Sequence, residues 1–439
     1  MEIAPSITGI LGFVLLFLLA FAGFPIALAF ALVGFLGLVY LAGMTPAMST
    51  LTSTAWSYAT SYSLMAVPVF ILMGQFANHS GIGPDLYKAA SRWMGRLPGG
   101  LAIATTWGCA AFAACTGSST AGLLTFAPIA FKPMMDNNYS RRLALGTLCC
   151  GATMGTVIPP SITFIIYGTI VEESIGQLFM AGVFPGLLEA VLYTIVIIFF
   201  AGLGIWAGPP GAPSSWKEKF ASLKGVWGML SLFLLVIGGI YGGIFTPTEA
   251  GAIGAFGAFV ILIGRQGFHW APIRAGLTEC LRTSCMVFTI IIGSMIFARF
   301  ITLTGLSNLL VDSLAGWAVS PYLILATFLF VFLLLGSVMP ALPVVVLTVP
   351  FLYPVFVETF GFSGIWFGVL ICVMMEIAFI TPPIGINLFA LMGLMKEEAP
   401  PGELFRGVLP FVLADVVRVA ILMAFPAISL WLPGMMIRR

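Results

Sequence analysis

Two stretches, GTVIPPS at residues 155–161 and TPPIG at residues 381–385, place paired prolines in the middle of long apolar runs. Proline lacks a backbone donor and clashes with the preceding helical turn, so each pair ends one helix. Proline also suits the first turn of a helix, so a second helix can begin directly afterwards. The sequence therefore predicts two discontinuous helices, each with a helix N-terminus inside an apolar layer.

The composition indicates that this layer is a membrane. Of the 439 residues, 60% are hydrophobic and 8% are charged, against roughly 25% charged in a soluble domain. Apolar runs recur from Ile7 to Leu432, and the mean hydropathy is +1.11. At about 20 residues per span, the chain has room for many transmembrane helices. A soluble protein is excluded, and an all-α polytopic membrane protein surrounded by the lipid bilayer is expected.

Several function classes are excluded or disfavoured. The net charge of +2 gives no reason to expect a nucleic acid partner. The cysteines lack metal-site spacing, and only His79 and His269 could assist them. The absence of a Gly-Lys pair excludes a phosphate-binding loop. A passive channel is disfavoured because rings of like charge and a repeated filter sequence are missing. We expect no enzyme activity and no cofactor.

The two proline stretches belong to a longer internal repeat. Pro159-Pro160 matches Pro382-Pro383, and four further pairs of segments match in the same order at an offset of about 223 residues. These are GQLF at 176 with GELF at 402, Gly117-Ser118 with Gly336-Ser337, Phe24-Pro25 with Thr246-Pro247, and Ser80-Gly81 with Thr304-Gly305. A duplicated architecture follows, with the halves meeting near residue 225.

The basic residues indicate that the halves have opposite orientations, because Lys and Arg favour short cytoplasmic loops. Segment 79–100 is basic, whereas its partner 302–320 has Asp312 and no Lys or Arg. Segment 265–282, a connection before the span expected at 283–301, is also basic, whereas its counterpart 44–59, a connection before the span expected at 60–78, is uncharged. An inverted-topology repeat is therefore expected. Arg438 and Arg439, which this topology leaves outside, are its one misfit.

A segment too short for two spans precedes each discontinuous helix. Segment 97–131 lies between the basic residues Arg96 and Lys132, so it is expected to enter and leave on the cytoplasmic side. Its tip is TGSST at residues 116–120. The partner segment 321–357 has the tip GSVMP at residues 336–340. The sequence thus predicts two re-entrant hairpins and two discontinuous helices around a shared centre.

The chemistry expected at this centre suits an anion beside a cation. Half-helix N-termini carry partial positive charge and free N–H groups that suit a carboxylate. Unwound carbonyls and hydroxyls can form an oxygen cage for Na⁺. The hydroxyls are those of Thr116, Ser118, Ser119, Thr156 and Thr381.

Four motifs lie at the predicted turns, interruptions and helix starts: TGSSTA at 116, GATMGTVIPPS at 151, FTPTEAG at 245 and EIAFITPPIGINLF at 376. Together they resemble those of the large membrane subunit of tripartite ATP-independent periplasmic (TRAP) transporters. The resemblance implies an elevator-type transporter in the bacterial inner membrane that takes up an organic acid with a Na⁺ gradient. It also implies two partners, a small four-span membrane subunit and a periplasmic substrate-binding protein. The identity of the acid cannot be read from the sequence.

The family's functional residues carry over to matching positions of this chain. The resemblance implies Na⁺ sites at Thr116, Ser118, Ser119, Gly155 and Thr156 in the first half, and at Gly336, Ser337, Thr381 and Gly385 in the second. The implied substrate contacts are Ser119, Thr153, Pro159, Ser161, Pro382 and Asn387. Thr116 replaces a common Ser but keeps the hydroxyl.

The predicted division assigns the hairpins and discontinuous helices to a transport domain and the other spans to a scaffold. The transport domain comprises residues 79–182 and 302–405, and the scaffold comprises residues 1–78, 183–225, 226–301 and 406–439.

Some alternatives stay open. A stand-alone Na⁺/anion symporter would have the same central site. Glu376 can act at the site or pair structurally with a neighbouring helix, since an intramembrane ionisable group is functional by default. Arg299 can snorkel to the outer surface or pair with the small subunit. Glu249 is expected to stabilise a helix N-terminus.

Overall fold

The computed structural model describes residues 4–211, 213–306, 309 and 319–436. These residues form helices and connecting turns, and no β-strand occurs among them. Six described helices are long and apolar enough to cross a membrane, or up to eight if each of two bent pairs is one span. The expectation of an all-α polytopic membrane protein is confirmed. Asp312, Arg438 and Arg439 lie outside the described residues.

The first half of the chain contains eleven described helices. They are α1 (Pro5–Phe21), α2 (Ile26–Ala42), α3 (Met44–Ala59), α4 (Ala66–His79), α5 (Ile82–Met94), α6 (Gly100–Thr116), α7 (Ser119–Asp136), α8 (Arg141–Thr153), α9 (Ile162–Ile170), α10 (Ile175–Gly202) and the short α11 (Trp216–Ser222).

The second half contains nine described helices. They are α12 (Trp227–Tyr241), α13 (Pro247–Gln266), α14 (Trp270–Thr304), α15 (Pro321–Val338), α16 (Ala341–Tyr353), α17 (Gly364–Ile380), α18 (Ile386–Met395), α19 (Pro401–Ala424) and α20 (Ala427–Gly434).

The helices pack in two groups. In the first, α14 lies along α2 and α4, and α13 lies along α4 and α12. Glycines permit this close approach, which is typical of helix pairs in membranes. A Cβ atom at Gly34 would lie 2.6 Å from the Phe297 backbone, and one at Gly293 would lie 2.2 Å from the Ala27 carbonyl oxygen. In the second group, α8 and α17 are surrounded by α6, α7, α10, α15 and α19.

The structure corrects several predicted boundaries. Residues 44–59, expected only to form a connection, form α3, and α4 begins at Ala66 after a short 3₁₀ turn at Ser63–Met65. The span predicted at 283–301 belongs to the 35-residue helix α14. In the first half, the corresponding segments do not form one continuous helix. Helix α3 meets the 3₁₀ turn and α4 at a bend of 54°.

Two predicted domain boundaries fall at least five residues inside a continuous helix, and two others, at 78/79 and 301/302, fall within the last turn of α4 and of α14. The boundary at 182/183 lies within α10, and the boundary at 405/406 lies within α19. Neither of these two boundaries coincides with a break between helices. The repeat motifs GQLF and GELF lie in the first turns of α10 and α19, not at their ends. The assignment of segments to a transport domain and a scaffold stays a prediction.

The interpretation of Glu249 as a structural residue is confirmed. Its carboxylate accepts a hydrogen bond from the Thr246 backbone N–H at 2.8 Å, and the Thr246 hydroxyl accepts one from the Glu249 N–H at 3.3 Å. This reciprocal pair is a capping box, which satisfies two free N–H groups. It fixes the start of α13 directly after Thr246.

Candidate functional site

Both predicted hairpins contain a tight turn at the expected tip. Helix α6 ends at Thr116 and α7 begins at Ser119, so two residues make the first turn. Gly117 has a φ of 58°, a left-handed conformation that glycine adopts at low cost. Ser118 caps α7, since its hydroxyl oxygen accepts a hydrogen bond from the Ala121 N–H at 3.3 Å. The second turn, Met339 and Pro340, lies between α15 and α16.

The first helix interruption lies where the sequence predicted it. Helix α8 ends at Thr153, a 3₁₀ turn follows at Met154–Thr156, and α9 begins at Ile162. The Ser161 hydroxyl donates a hydrogen bond to the Thr156 carbonyl oxygen across the interruption. Every residue from 154 to 161 is buried, so this interruption is surrounded by protein.

The second interruption also lies at its predicted position but is more open. Helix α17 ends at Ile380 and α18 begins at Ile386. Pro382, Pro383 and Ile384 between them are exposed. The peptide bond of each Pro-Pro pair, in both interruptions, is cis. The two interruptions thus share their sequence pattern but differ in exposure.

The first hairpin tip contacts the first interruption through two glycines. A Cβ atom added at Gly117 would lie 2.1 Å from the Pro160 carbonyl oxygen. One added at Gly155 would lie 2.8 Å from the Ser118 carbonyl carbon. Both distances are shorter than any van der Waals contact, so only glycine fits at these positions. The structure therefore brings together the residues predicted for the first Na⁺ site.

The second hairpin tip contacts the second interruption in a comparable way. The Gly385 N–H donates a hydrogen bond to the Ser337 carbonyl oxygen at 3.1 Å. A Cβ atom at Gly336 would lie 2.7 Å from the Ala378 Cβ. The residues predicted for the second Na⁺ site, which come from two segments distant in sequence, are therefore neighbours.

A side-chain hydrogen bond joins the two halves at this centre. The Asn387 Nδ2 group donates to the Ser119 hydroxyl oxygen at 2.6 Å, and both residues are buried. Ser119 is the first residue of α7 and Asn387 is the second residue of α18, so two helix N-termini meet here. The Asn387 Oδ1 atom has no hydrogen-bond partner among the described residues. Two partly positive helix ends suit an anionic group.

Four of the eight hydroxyl side chains predicted for the Na⁺ and substrate sites donate their hydrogen to their own helix. This is so for Thr116, whose acceptor is the Phe112 carbonyl at 3.1 Å, and for Thr381, whose acceptor is the Ile377 carbonyl at 2.7 Å. The hydroxyls of Thr153 and Ser337 donate similarly. A hydroxyl whose hydrogen is used in this way still offers oxygen lone pairs to a cation.

Pro159 lies in different surroundings from the other predicted substrate residues. It lines an apolar cavity of about 510 Å³ together with Trp107, Cys115 and residues of α5, α10 and α12. This lining gives a carboxylate little to bind, so the geometry provides no support for Pro159 as a substrate contact. Pro159 lies within the interruption, three residues after the 3₁₀ turn ends at Thr156 and three before α9 begins at Ile162.

The sequence analysis missed a buried charge cluster. Glu376 accepts a hydrogen bond from Arg418 at 2.8 Å, and Glu189 and Asp415 also contact Arg418. The structural interpretation of Glu376, pairing with a neighbouring helix, is therefore the one that the contacts favour. The signal was available, since Glu189, Asp415 and Arg418 are ionisable residues within apolar runs.

Arg299 is exposed and lines a cavity of about 750 Å³ between α3, α14 and α16, together with Ser57 and Tyr58. No acidic residue among the described residues forms an ion pair with it. This cavity contains none of the predicted site residues.

The fold and these interruptions define a multi-pass helical membrane protein, and two solved transporters share the fold. The Alcanivorax borkumensis YdaH transporter superposes with a TM-score of 0.59 at 14% identity, over 88% of this chain and 89% of that chain. Neisseria gonorrhoeae MtrF, one of a class of antimetabolite efflux pumps, gives a TM-score of 0.51 at 11% identity, over 88% and 85% of the two chains. These similarities show a shared fold.

The sequence identifies the family. Residues 13–428 match the family described as "Tripartite ATP-independent periplasmic transporter, DctM component". The C4-dicarboxylate TRAP transporter large permease protein of Pseudomonas aeruginosa is 35% identical, over 85% of this chain and 86% of that protein. The sialic acid TRAP transporter large permease protein of Vibrio cholerae is 29% identical, over 94% and 96%. The chain belongs to the TRAP transporter large permease family, so it is a transporter component and not an enzyme.

Proposed function

We propose that this chain takes up an organic acid anion with the Na⁺ gradient, as the large permease subunit of a TRAP transporter in the bacterial inner membrane. The observation that carries the proposal is the meeting of the α7 and α18 N-termini at the Ser119–Asn387 hydrogen bond. Two helix N-termini and an unpartnered amide oxygen lie beside the two hairpin-tip contacts, which offer carbonyl and hydroxyl oxygens. This geometry suits a carboxylate next to a hard cation.

The two Na⁺ sites of the proposal are the two contacts between a hairpin tip and a helix interruption. In the first, Gly155 lies against the Ser118–Ser119 backbone, and a Cβ atom added there would lie 3.0 Å from the Ser118 carbonyl oxygen. The hydroxyls of Ser118, Ser119 and Thr156 complete the proposed oxygen set. In the second, Ser337 and Thr381 lie next to Gly385. Na⁺ bound at either contact would hold a tip against an interruption and so order the central site for the acid.

An elevator movement fits the two packing groups. The moving body of the proposal contains the hairpins and the interrupted helices, and the other body contains α1, α2, α4, α13 and α14. Helices α10 and α19 pack on α8 and α17, and Arg418 ties α19 to α10 and α17 through buried contacts. We therefore assign both whole helices to the moving body, in place of the predicted boundaries at 182/183 and 405/406.

The partners of the proposal are a small four-span membrane subunit and a periplasmic substrate-binding protein. Support comes from the tripartite description of the family. A further relative, the isethionate TRAP transporter permease protein of Oleidesulfovibrio alaskensis, is longer, and this chain covers 66% of it at 30% identity. The acid itself stays open, since relatives are named for C4-dicarboxylates, sialic acid and 2,3-diketo-L-gulonate.

The test is reconstitution of the chain with both partners in liposomes, followed by a screen of radiolabelled sialic, C4-dicarboxylic and sugar acids. An inward Na⁺ gradient is expected to drive accumulation of one acid class, and a K⁺ gradient of equal size is not. Accumulation without any Na⁺ dependence would contradict the proposal. Equal Na⁺-driven uptake by the chain alone would instead favour a stand-alone symporter.

The proposed Na⁺ sites predict that Ser119→Leu and Thr381→Leu each abolish Na⁺-driven uptake, because each removes a hydroxyl and fills space beside a tip. Thr289→Leu is the matched control. Like Thr381, Thr289 donates its hydroxyl hydrogen four residues back, to Cys285 at 2.7 Å, but it lies on the exposed side of α14. Uptake in liposomes measures the effect, with insertion monitored by immunoblot. Normal uptake by both site variants would remove these residues from the Na⁺ sites.

A further inference from the structure

A cluster of ionisable side chains lies buried between α10, α17 and α19, and contains none of the predicted site residues. Arg418 donates hydrogen bonds to one oxygen each of Glu189 and Glu376, the latter at 2.8 Å. Its Nη2 atom also lies 3.2 Å from Asp415 Oδ1. The Tyr193 hydroxyl donates to the other Asp415 oxygen at 2.7 Å. The side chains of Glu189, Glu376 and Arg418 are 0% exposed.

The charges of this cluster do not balance. Three carboxyl groups surround a single guanidinium, which cannot lose its proton in a protein. With every carboxyl ionised, the cluster would carry two uncompensated negative charges within the apolar interior of a membrane protein. Burial of unpaired charge is strongly unfavourable, and a buried acid commonly avoids it by holding a proton.

The hydrogen-bonding pattern indicates where a proton belongs. One Asp415 oxygen accepts from Tyr193, and the other lies 3.2 Å from Arg418 Nη2 as an ion pair without forming a hydrogen bond, whereas Glu189 Oε1 and Glu376 Oε1 are buried and have neither kind of partner among the described residues. Glu189 and Glu376 bind the Nη1 and Nη2 atoms of one guanidinium, so their carboxyl groups are neighbours. An ionised carboxylate is an acceptor only, so two neighbouring carboxylates can hydrogen-bond each other only with a proton between them.

No other side chain among the described residues donates a hydrogen bond to Glu189 Oε1 or Glu376 Oε1. The ionisable groups near the pair lie on the helices packed around it. No group of three or more His, Cys, Asp and Glu side chains among the described residues could hold a metal ion. The titratable and charged groups that face the pair are Cys150 on α8, Tyr193 on α10, Cys372 on α17, and Asp415 and Arg418 on α19.

We infer that Glu189 and Glu376 form a proton-binding site, with one proton held between Glu189 Oε1 and Glu376 Oε1. The proton cross-links α10 to α17, while Arg418 binds the remaining oxygen of each carboxyl group and so holds α19 against both. The site thus joins three helices, and one of them, α17, leads into the second interruption. This inference concerns proton binding and does not depend on the proposed Na⁺ coupling or on the transported acid.

Substitution of acid by amide distinguishes a protonated carboxyl from an ionised one. In Glu189→Gln, the amide N–H₂ can donate to Glu376 Oε1 as the proposed carboxyl O–H does. In Asp415→Asn, the amide N–H₂ must face either the Tyr193 hydroxyl or the Arg418 guanidinium, and the ion pair with Arg418 is lost. Thermal unfolding of the purified chain in detergent is expected to give Asp415→Asn a Tm at least about 5 °C below that of Glu189→Gln. A Glu189→Gln variant that is as unstable as Asp415→Asn, or that fails to fold, would overturn the inference.

Infrared spectroscopy provides a direct readout of the proton. The wild-type chain at neutral pH is expected to show the C=O stretching band of a protonated carboxyl group, with its shift in D₂O. Glu189→Gln and Glu376→Gln are each expected to lose that band, whereas Glu403→Gln, which removes a partly exposed carboxylate bound to Arg142, keeps it. Retention of the band in both cluster variants would refute a proton at this site.

The pH dependence of stability gives an independent test. The folded chain would hold a proton that an exposed glutamate of the unfolded chain releases at neutral pH. Stability must then fall as pH rises, by up to about tenfold in the unfolding equilibrium constant per pH unit. Between about pH 6 and pH 9, wild-type stability is expected to fall more steeply than that of Glu189→Gln. Parallel curves for the two proteins would contradict the inference.

Discussion

Gly117→Ala is expected to lower Na⁺-driven uptake at least about tenfold, a loss equivalent to about 1.4 kcal/mol. Gly117 has a left-handed φ of 58°, which costs a residue with a Cβ atom about 1–2 kcal/mol. The new Cβ atom would also lie 2.1 Å from the Pro160 carbonyl oxygen. The tip must therefore move away from the interruption, and the first proposed Na⁺ site opens. The measurement is initial uptake rate in liposomes as a function of Na⁺ concentration.

Gly204→Ala is the matched control for this variant. Gly204 also has a left-handed φ, 68°, but an added Cβ atom would meet no other atom within 4 Å. It therefore reproduces the backbone cost of Gly117→Ala without the clash. Near-normal uptake by Gly204→Ala together with the loss in Gly117→Ala would assign the effect to the tip contact. Equal effects of the two substitutions would mean that the close packing of the tip is unimportant for uptake.

Arg418→Gln is expected to destabilise the chain by about 3–5 kcal/mol, the cost of removing one partner from a buried ion pair. Arg418 is the cation that Glu189, Glu376 and Asp415 share. Its removal leaves three buried carboxyl groups without a counter-charge and separates α19 from α10 and α17. The expected result is little folded protein in the membrane and a strongly lowered Tm in detergent, measured by fluorescence-detected size-exclusion chromatography after heating.

Arg142→Gln tests whether burial is the cause of this loss. Arg142 donates two hydrogen bonds to Glu403, at 2.8 and 3.1 Å, but both side chains are about one third exposed. A partly exposed pair of this kind contributes about 1 kcal/mol or less. A small Tm change is therefore expected for Arg142→Gln. If the two arginine variants were equally stable, burial of the Arg418 cluster would add nothing to the free energy of unfolding beyond what a partly exposed ion pair contributes.

The interruptions and the hairpin tips were predictable because their causes are local. A proline pair ends a helix whatever surrounds it, so positions 159–160 and 382–383 were located from sequence alone. Gly117 and Ser118 likewise form a turn from their own backbone and capping preferences. The predicted Na⁺-site residues were brought together in space by the structure, although the ion itself stays a prediction.

Contacts between distant segments were not predictable from a single sequence. Ser119 and Asn387 are 268 residues apart, and Arg418 and Glu189 are 229 residues apart. No local sequence pattern around these residues indicates which distant residue is the partner. An isolated charge among apolar residues also has little effect on an averaged hydropathy. The continuous course of α14 through residues 270–304 was missed because Arg274 and Arg282 lie in its first half, which favoured a loop on charge alone.

The unequal exposure of the two Pro-Pro stretches affects how freely each can evolve. Any new side chain at residues 154–161 must fit among closely packed neighbours, so substitutions there carry a folding penalty. At residues 382–384 the side chains reach open space, and mutations cost little in stability. The fold therefore tolerates a wider range of side chains at the second interruption than at the first.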